Sequence, residues 1–268
     1  MRRSNIFWGS VLVLLGGLFL MNSLGINLPG GADVMDYFWP LLLVFLGLWV
    51  IVSATISSRT IEPDSEAFSI DLGAARKAAL NIKHGAGQLT IGSGASSTQL
   101  LAGSFSGGVN QKKQLDGDCL NVKLQSQVDF PFSWKWGARG MEWDVRLNGK
   151  VPMELKLDTG ANQAKVDLQD TTVTYLDLNT GASSTDLTLP ASAGYVRVDI
   201  ELGAASLDVR VPNGVAARIK VDQGISSIEI DSTRFPNTGQ FYQSPDYDTA
   251  ENRTDIDIDA GVGRIAVH

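Results

Sequence analysis

The sequence predicts two unlike parts: a membrane α-helical hairpin and an all-β repeat domain of β-solenoid or β-prism type, with a β-sandwich as the alternative. Three observations predict this. Two apolar runs fill most of the first 56 residues, a glycine-centred phrase recurs six times further on, and apolar and polar residues alternate on both sides of each of those glycines. Strict alternation gives a strand one dry face and one wet face.

The apolar runs are Ile6–Leu24 (IFWGSVLVLLGGLFLMNSL) and Tyr37–Ile56 (YFWPLLLVFLGLWVIVSATI). About 20 apolar residues span a bilayer as a helix, so two runs joined by the short segment Gly25–Asp36 read as a hairpin through the membrane. A cleaved signal peptide is the competing reading of the first run, but no small-x-small cleavage site precedes Pro29, and a second span follows. Trp8, Tyr37, Trp39 and Trp49 suit the interfaces, and Pro40 lies in the first turn of the second helix, where its missing N–H is tolerated. Arg2, Arg3 and Arg59 flank the outer ends while the loop carries only Asp33 and Asp36, which predicts both termini in the cytoplasm. The hairpin is assigned to 1–56, a polar linker with Pro63 to 57–66, and the β domain to 67–268.

The recurring phrase is clearest at Leu176–Leu189, LDLNTGASSTDLTL. It returns around Gly85, Gly160, Gly203, Gly224 and Gly261, and Gly160, Gly181, Gly203 and Gly224 are spaced 21, 22 and 21 residues apart. Glycine at each centre permits a positive φ or a close backbone approach. A unit of this length cannot bury its own dry face, so the copies must stack into one core. Phe68–Gly73 reads as a half-repeat. Between Gly92 and Lys150 the rhythm is lost, and Asp116-Gly117 and Asn148-Gly149 read as turns of antiparallel hairpins inserted at about 99–154. The second turn would join the face Trp143, Val145, Leu147 to Val151, Met153, Leu155. Ser232–Thr254 reads as a surface loop between the fifth and sixth copies.

Charge narrows the function. The whole chain has net charge −7, and leaving out Arg2, Arg3, Asp33 and Asp36 leaves 20 basic and 27 acidic residues in the β domain and linker. An acidic domain without a basic stripe excludes nucleic acid as a partner and disfavours adsorption to anionic lipid. The single cysteine, Cys119, excludes an internal disulfide and reads as a packed strand residue. His84 and His268 are the only histidines, and neither has metal-ligand spacing; His84 occupies the corner position just before Gly85. Asp255, Asp257 and Asp259 share one strand face but lack the offsets of a calcium loop, so they read as a solvated face. No catalytic, metal-binding or cofactor-binding residues are predicted, and no cofactor.

Phe130, Phe132, Trp134 and Trp136, with Trp143 close behind, form the most unusual stretch of the soluble part. Two readings stand: the rings cap the open end of the repeat stack, or they form a contact for a partner or the membrane surface.

Asn5–Val52 resembles the LiaI–LiaF-like transmembrane region of bacterial envelope-stress proteins, and the glycine-punctuated repeats resemble the toastrack and LiaF C-terminal domains joined to such segments. LiaF-like proteins commonly have four membrane helices where this chain has two. The resemblance implies a non-enzymatic, multi-pass protein of the bacterial plasma membrane that senses or relays envelope stress. Its expected partners are the bilayer itself and a membrane histidine kinase or other envelope-stress protein, with self-association into a homo-oligomer also compatible. The alternative is an extracytoplasmic structural or adhesive scaffold that binds cell-wall polymer.

Overall fold

A computed structural model describes residues 65–126 and 141–268. The predicted hairpin, most of the linker, and Phe130, Phe132, Trp134 and Trp136 lie outside the described residues. The strands are β1 (Ser65–Asp71), β2 (Lys77–Ser93), β3 (Gln99–Ser106), β4 (Val109–Asp116), β5 (Cys119–Ser126), β6 (Met141–Leu147), β7 (Met153–Asp167), β8 (Val173–Thr188), β9 (Tyr195–Arg210), β10 (Ala216–Ile230), β11 (Tyr242–Gln243) and β12 (Arg253–Val267).

Each glycine phrase is one long bent strand: β2, β7, β8, β9, β10 and β12 in turn. In β8, Leu176, Leu178 and Thr180 are buried before Gly181, and Thr185, Leu187 and then Leu189 are buried after it. Inward positions on one arm are thus an odd number of residues from those on the other. A straight strand cannot do this; the chain turns a corner at the glycine and keeps its dry face on the inside of both arms. The arms stack parallel and in register, so that Leu80, Leu155, Leu176, Val198, Ile256 and Ile219 form one continuous interior row. Fully burying each such aliphatic stabilises the fold by about 1.5–3 kcal/mol.

The reason for glycine is close approach. None of the six corner glycines has a positive φ. A Cβ on Gly160 would stand 2.2 Å from the carbonyl oxygen of Gly85, one on Gly203 2.7 Å from that of Gly181, and one on Gly261 2.6 Å from that of Gly203. Successive corners nest backbone on backbone, and a side chain would prise them apart.

The stack is not in sequence order. β12 inserts between β9 and β10, so the sixth copy lies between the fourth and the fifth, parallel to both. The connection that brings it there, Ser232–Asn252, does more than cross the surface. Phe235 is fully buried in the core with Tyr242 packed against it, so this segment closes the β10 end of the interior, while Tyr247, also buried, lies against Arg218 and Asp255 on the outer face of the arm.

A seventh coil is hidden in the supposed insertion. β5 runs parallel to the first arm of β2, pairing Leu80 with Val122, and β6 runs parallel to the second arm, pairing Leu89 with Trp143. Together they make one coil whose corner is replaced by residues 127–140. Asn148-Gly149 is therefore not a hairpin turn. β6 and β7 flank β2 on opposite sides, both parallel to it, and the Asn148 amide donates to the carbonyls of Ser96 and Gln99 at 3.1 and 2.7 Å. Gly117 does form the expected tight turn, with Asp116 opposite Cys119 in the antiparallel β4–β5 pair. β1 is no half-repeat: it pairs antiparallel with β3, which pairs antiparallel with β6. These antiparallel strands end the stack on that side, where Phe68 stacks on Phe105 and Phe105 meets Trp143 edge-on at 5.1 Å.

Candidate functional site

Trp143 is fully buried, its ring also 5.1 Å from that of His84, so it belongs to the core and offers nothing to a partner or a membrane. His84 points into the corner interior, in the row that holds Thr159, Thr180, Leu202 and Ala260, all buried. Of the aromatic candidates, Trp143 is the one within the described residues, and the structure separates it from any surface role. The stretch that carries Phe130, Phe132, Trp134 and Trp136 joins the two arms of the seventh coil. Cys119 is half-buried in β5.

The outward face of the first arms carries the chemistry. Side chains six, four and two residues before each glycine stand in three rows across β7, β8, β9, β12 and β10. The row furthest from the corner is tied up internally. Tyr175 donates its hydroxyl to Asp199 at 2.9 Å and Tyr195 donates to Asp255 at 2.7 Å. Tyr247 donates to the other Asp255 oxygen, and Arg218 lies over the Tyr247 ring at 4.1 Å. Asp255 is thus consumed by two phenols and faces Arg218 at 4.0 Å. In the middle row Lys156 binds Asp177, Arg197 reaches Asp199 at 3.1 Å, and Lys220 holds Asp222 and lies 3.7 Å from Asp257.

These contacts move ionisations away from neutrality. The hydrogen bond to Asp177 pushes Lys156 up, and the bond to Asp222 does the same for Lys220. Burial, then the bond to Asp199, raises Tyr175; the bond to Asp255 raises Tyr195; burial followed by Asp255 raises Tyr247 furthest. A general acid or base needs a pKa near the working pH, and each of these shifts goes the other way.

The row nearest the corner is different. Asp158, Asn179, Glu201, Asp259 and Asp222 stand side by side, with Lys83 2.6 Å from Asp158 and Lys220 on Asp222. Glu201 and Asp259, exposed neighbours on adjacent strands, have no cationic partner among the described residues. They border a shallow groove of 510 Å³ whose floor includes Gly181, Gly203 and Gly261 and whose wall includes Thr159 and Asn179. The glycine ladder leaves the groove without side chains to fill it, and the backbone is exposed at its base. Beyond it the corner carries Ala161, Ala182 and Ala204, then Val262 and Ile225, which are 54% and 82% exposed. An acidic line beside an apolar ridge suits an extended, basic polypeptide. A second groove, of 720 Å³, lies toward β4 and is edged by Lys112, Lys113 and Lys123, so the two ends of the arm face have opposite character. Among the described residues no group of His, Cys, Asp or Glu is placed to hold a metal ion.

The acidic row was legible before the fold: the residue two before each glycine is acidic in four of the phrases, at Asp158, Glu201, Asp222 and Asp259. What the phrases do not carry is that Glu201 and Asp259 are neighbours, because strand order decides it.

A glycine-cornered parallel β stack joined to an apolar N-terminal region defines a membrane-associated β-repeat protein. The chain belongs to the toast_rack family: residues 58–210 match the N-terminal domain of toast_rack, DUF2154, and residues 6–51 match the LiaI-LiaF-like transmembrane region. None of the curated proteins matches this sequence. Among solved structures, a protein from Clostridium sporogenes named as a candidate cell adhesion protein is similar over 77% of this chain and 99% of its own, at 24% identity and a TM-score of 0.71. That likeness shows a shared fold. A candidate adhesin from Bacteroides fragilis aligns over 76% of this chain and 96% of its own at 9% identity, with a TM-score of only 0.29.

Proposed function

We propose that this protein is a non-enzymatic, membrane-anchored sensor or regulator of cell-envelope stress, LiaF-like, that binds a protein partner through the corner groove. The observation that carries the reading is the placement of Glu201 and Asp259, side by side over a floor of exposed glycine backbone. Such a floor lets an extended segment lie close against the corner without a side chain in its way, and the carboxylates select a basic one. A membrane histidine kinase, tethered to the same bilayer, is the expected partner class. The aromatic residues Phe130, Phe132, Trp134 and Trp136 are the proposed second contact, with the partner or with the lipid surface. The bilayer holds the protein through the residue 6–51 region, and the positive residues Arg2, Arg3 and Arg59 support a multi-pass anchor in a bacterial plasma membrane with the β domain in the cytoplasm.

The test is site-specific photocrosslinking in cells from a probe at Ser184, exposed on the corner of β8, with and without Glu201→Lys and Asp259→Lys. A single membrane protein captured by the wild type and lost in the double variant, with stress-responsive signalling altered in parallel, supports the reading. Unchanged capture and signalling refute it.

A second reading, an extracytoplasmic scaffold on cell-wall polymer, is favoured by the name of the Clostridium neighbour. Topology separates the two. A cysteine at exposed Glu251 in a Cys119→Ser background resists an impermeant thiol reagent in intact cells if the domain is cytoplasmic, and reacts if it is displayed outside.

A further inference from the structure

The two ends of the β stack are finished in different ways. At one end the parallel coils give way to antiparallel strands. The arm leading to the corner ends on β4, VNQKKQLD, with Lys112 and Lys113 exposed; the other arm ends two strands out from β6, on β1. That end is stepped and charged, in the manner by which β proteins protect their edges. At the other end stands β10. It pairs with β12 along its whole length, but on its free side it meets β11 only at Arg218 and Ile219. From Lys220 to Ile230 its outer backbone groups have no strand partner among the described residues.

The second arm of β10, GISSIEI from Gly224 to Ile230, has none of the usual protections. It contains no Lys, Arg or Pro, and its one charge, Glu229, is held by Arg264 of β12 at 2.6 Å. Ile225 is 82% exposed, while Ile228 and Ile230 are half-buried at the rim of the core.

We propose that the second arm of β10 is a homodimer edge, pairing antiparallel with the same arm of a second copy across a two-fold axis. The occupant follows from the two ends together. A head-to-tail contact would have to lay the L-shaped β10 coil on the stepped, charged end, whose two arms stop on different strands. A like-with-like contact needs only the uncharged edge, and it closes at two subunits. Pairing centred on Ile228 keeps the core face continuous, with Ile228 opposite its own mate and Ile230 opposite Ser226. Glu229 then faces Ser227, so no charge opposes a like charge. One-residue slips would turn the isoleucines outward.

Ser227 is exposed, which makes it the probe. The full-length chain in detergent is measured by light scattering corrected for bound detergent. The wild type is expected to be a dimer. Ser227→Glu places carboxylates against Glu229 twice and weakens self-association by roughly tenfold, whereas Ser227→Lys leaves it unchanged or tighter. In membranes, Ile228→Cys in a Cys119→Ser background forms a disulfide-linked dimer under mild oxidation. A wild-type monomer, a dimer indifferent to Ser227→Glu, a ladder of larger assemblies, or Ile228→Cys that links to another protein or to nothing each overturns the proposal.

Discussion

Replacing the corner glycines one at a time with alanine is expected to destabilise the domain in an order set by a single distance. A Cβ at Gly181 would lie 3.2 Å from the Gly160 carbonyl oxygen, at Gly203 2.7 Å from that of Gly181, and at Gly160 2.2 Å from that of Gly85. Because none of these glycines has a positive φ, dihedral strain contributes nothing and the whole effect is steric. Two terms oppose each other. Alanine narrows the unfolded ensemble and so stabilises by about 0.4–1 kcal/mol wherever the native conformation accepts it. Overpacking against an unyielding backbone costs about 1–3 kcal/mol. At Gly181 a shift of a few tenths of an ångström suffices, so Gly181→Ala should fall within about 1 kcal/mol of wild type. At Gly160 two strands must separate by more than half an ångström across a full ladder, so Gly160→Ala should lose about 2–3 kcal/mol, with Gly203→Ala between them. For a domain of this size that corresponds to a Tm fall of roughly 4–12 °C for Gly160→Ala and little change for Gly181→Ala. Thermal and urea unfolding followed by circular dichroism on the detergent-solubilised chain would read it. Equal losses at the three sites, or a larger loss at Gly181 than at Gly160, would refute nesting of the corners as the reason for glycine.

The two ends of the core give a second test: Phe235→Ala and Trp143→Ala each empty a fully buried site and should cost about 3–5 kcal/mol in urea unfolding. Glu201→Lys with Asp259→Lys touches exposed carboxylates and should change stability by no more than about 0.5 kcal/mol while abolishing partner capture; a collapse of the fold would show that the row is structural. Alkaline stability carries a sign. Tyr175, Tyr195 and Tyr247 have folded-state pKa values raised above the ordinary value of 10.0, so their contribution is complete below that pH and is lost as the pH rises above it. Tyr247→Phe should therefore flatten the fall in Tm above pH 10, and an unchanged slope would show that burial and Asp255 do not hold that phenol protonated.

The coil follows from the residue pattern alone. Alternation on both sides of a glycine states which residues face inward, and a phrase too short to bury its own face demands that copies stack, so Leu176, Leu178 and Leu187 could be assigned to the core with nothing else known. The seventh coil was also legible: Leu120-Asn121-Val122-Lys123 echoes Leu80-Asn81-Ile82-Lys83, and Trp143-Asp144-Val145-Arg146 echoes Leu207-Asp208-Val209-Arg210. It was obscured because residues 127–140 stand where its corner glycine should be, and because Asn148-Gly149 carries the local signal of a hairpin. Turn chemistry is a short-range preference; the parallel ladder to β2 overrides it by burying Trp143, Val145 and Leu147 against strands distant in sequence.

The order of the coils is set by long-range packing. Every copy presents the same alternating rows and the same glycine, so any copy can pair in register with any other, and the pattern holds no information about neighbours. What selects β12 as the strand between β9 and β10 is the connection Ser232–Asn252, which must bury Phe235 and Tyr247 over the last coil before the chain returns. That choice sets Glu201 beside Asp259 in the groove and leaves β10, rather than the final strand, at the open edge.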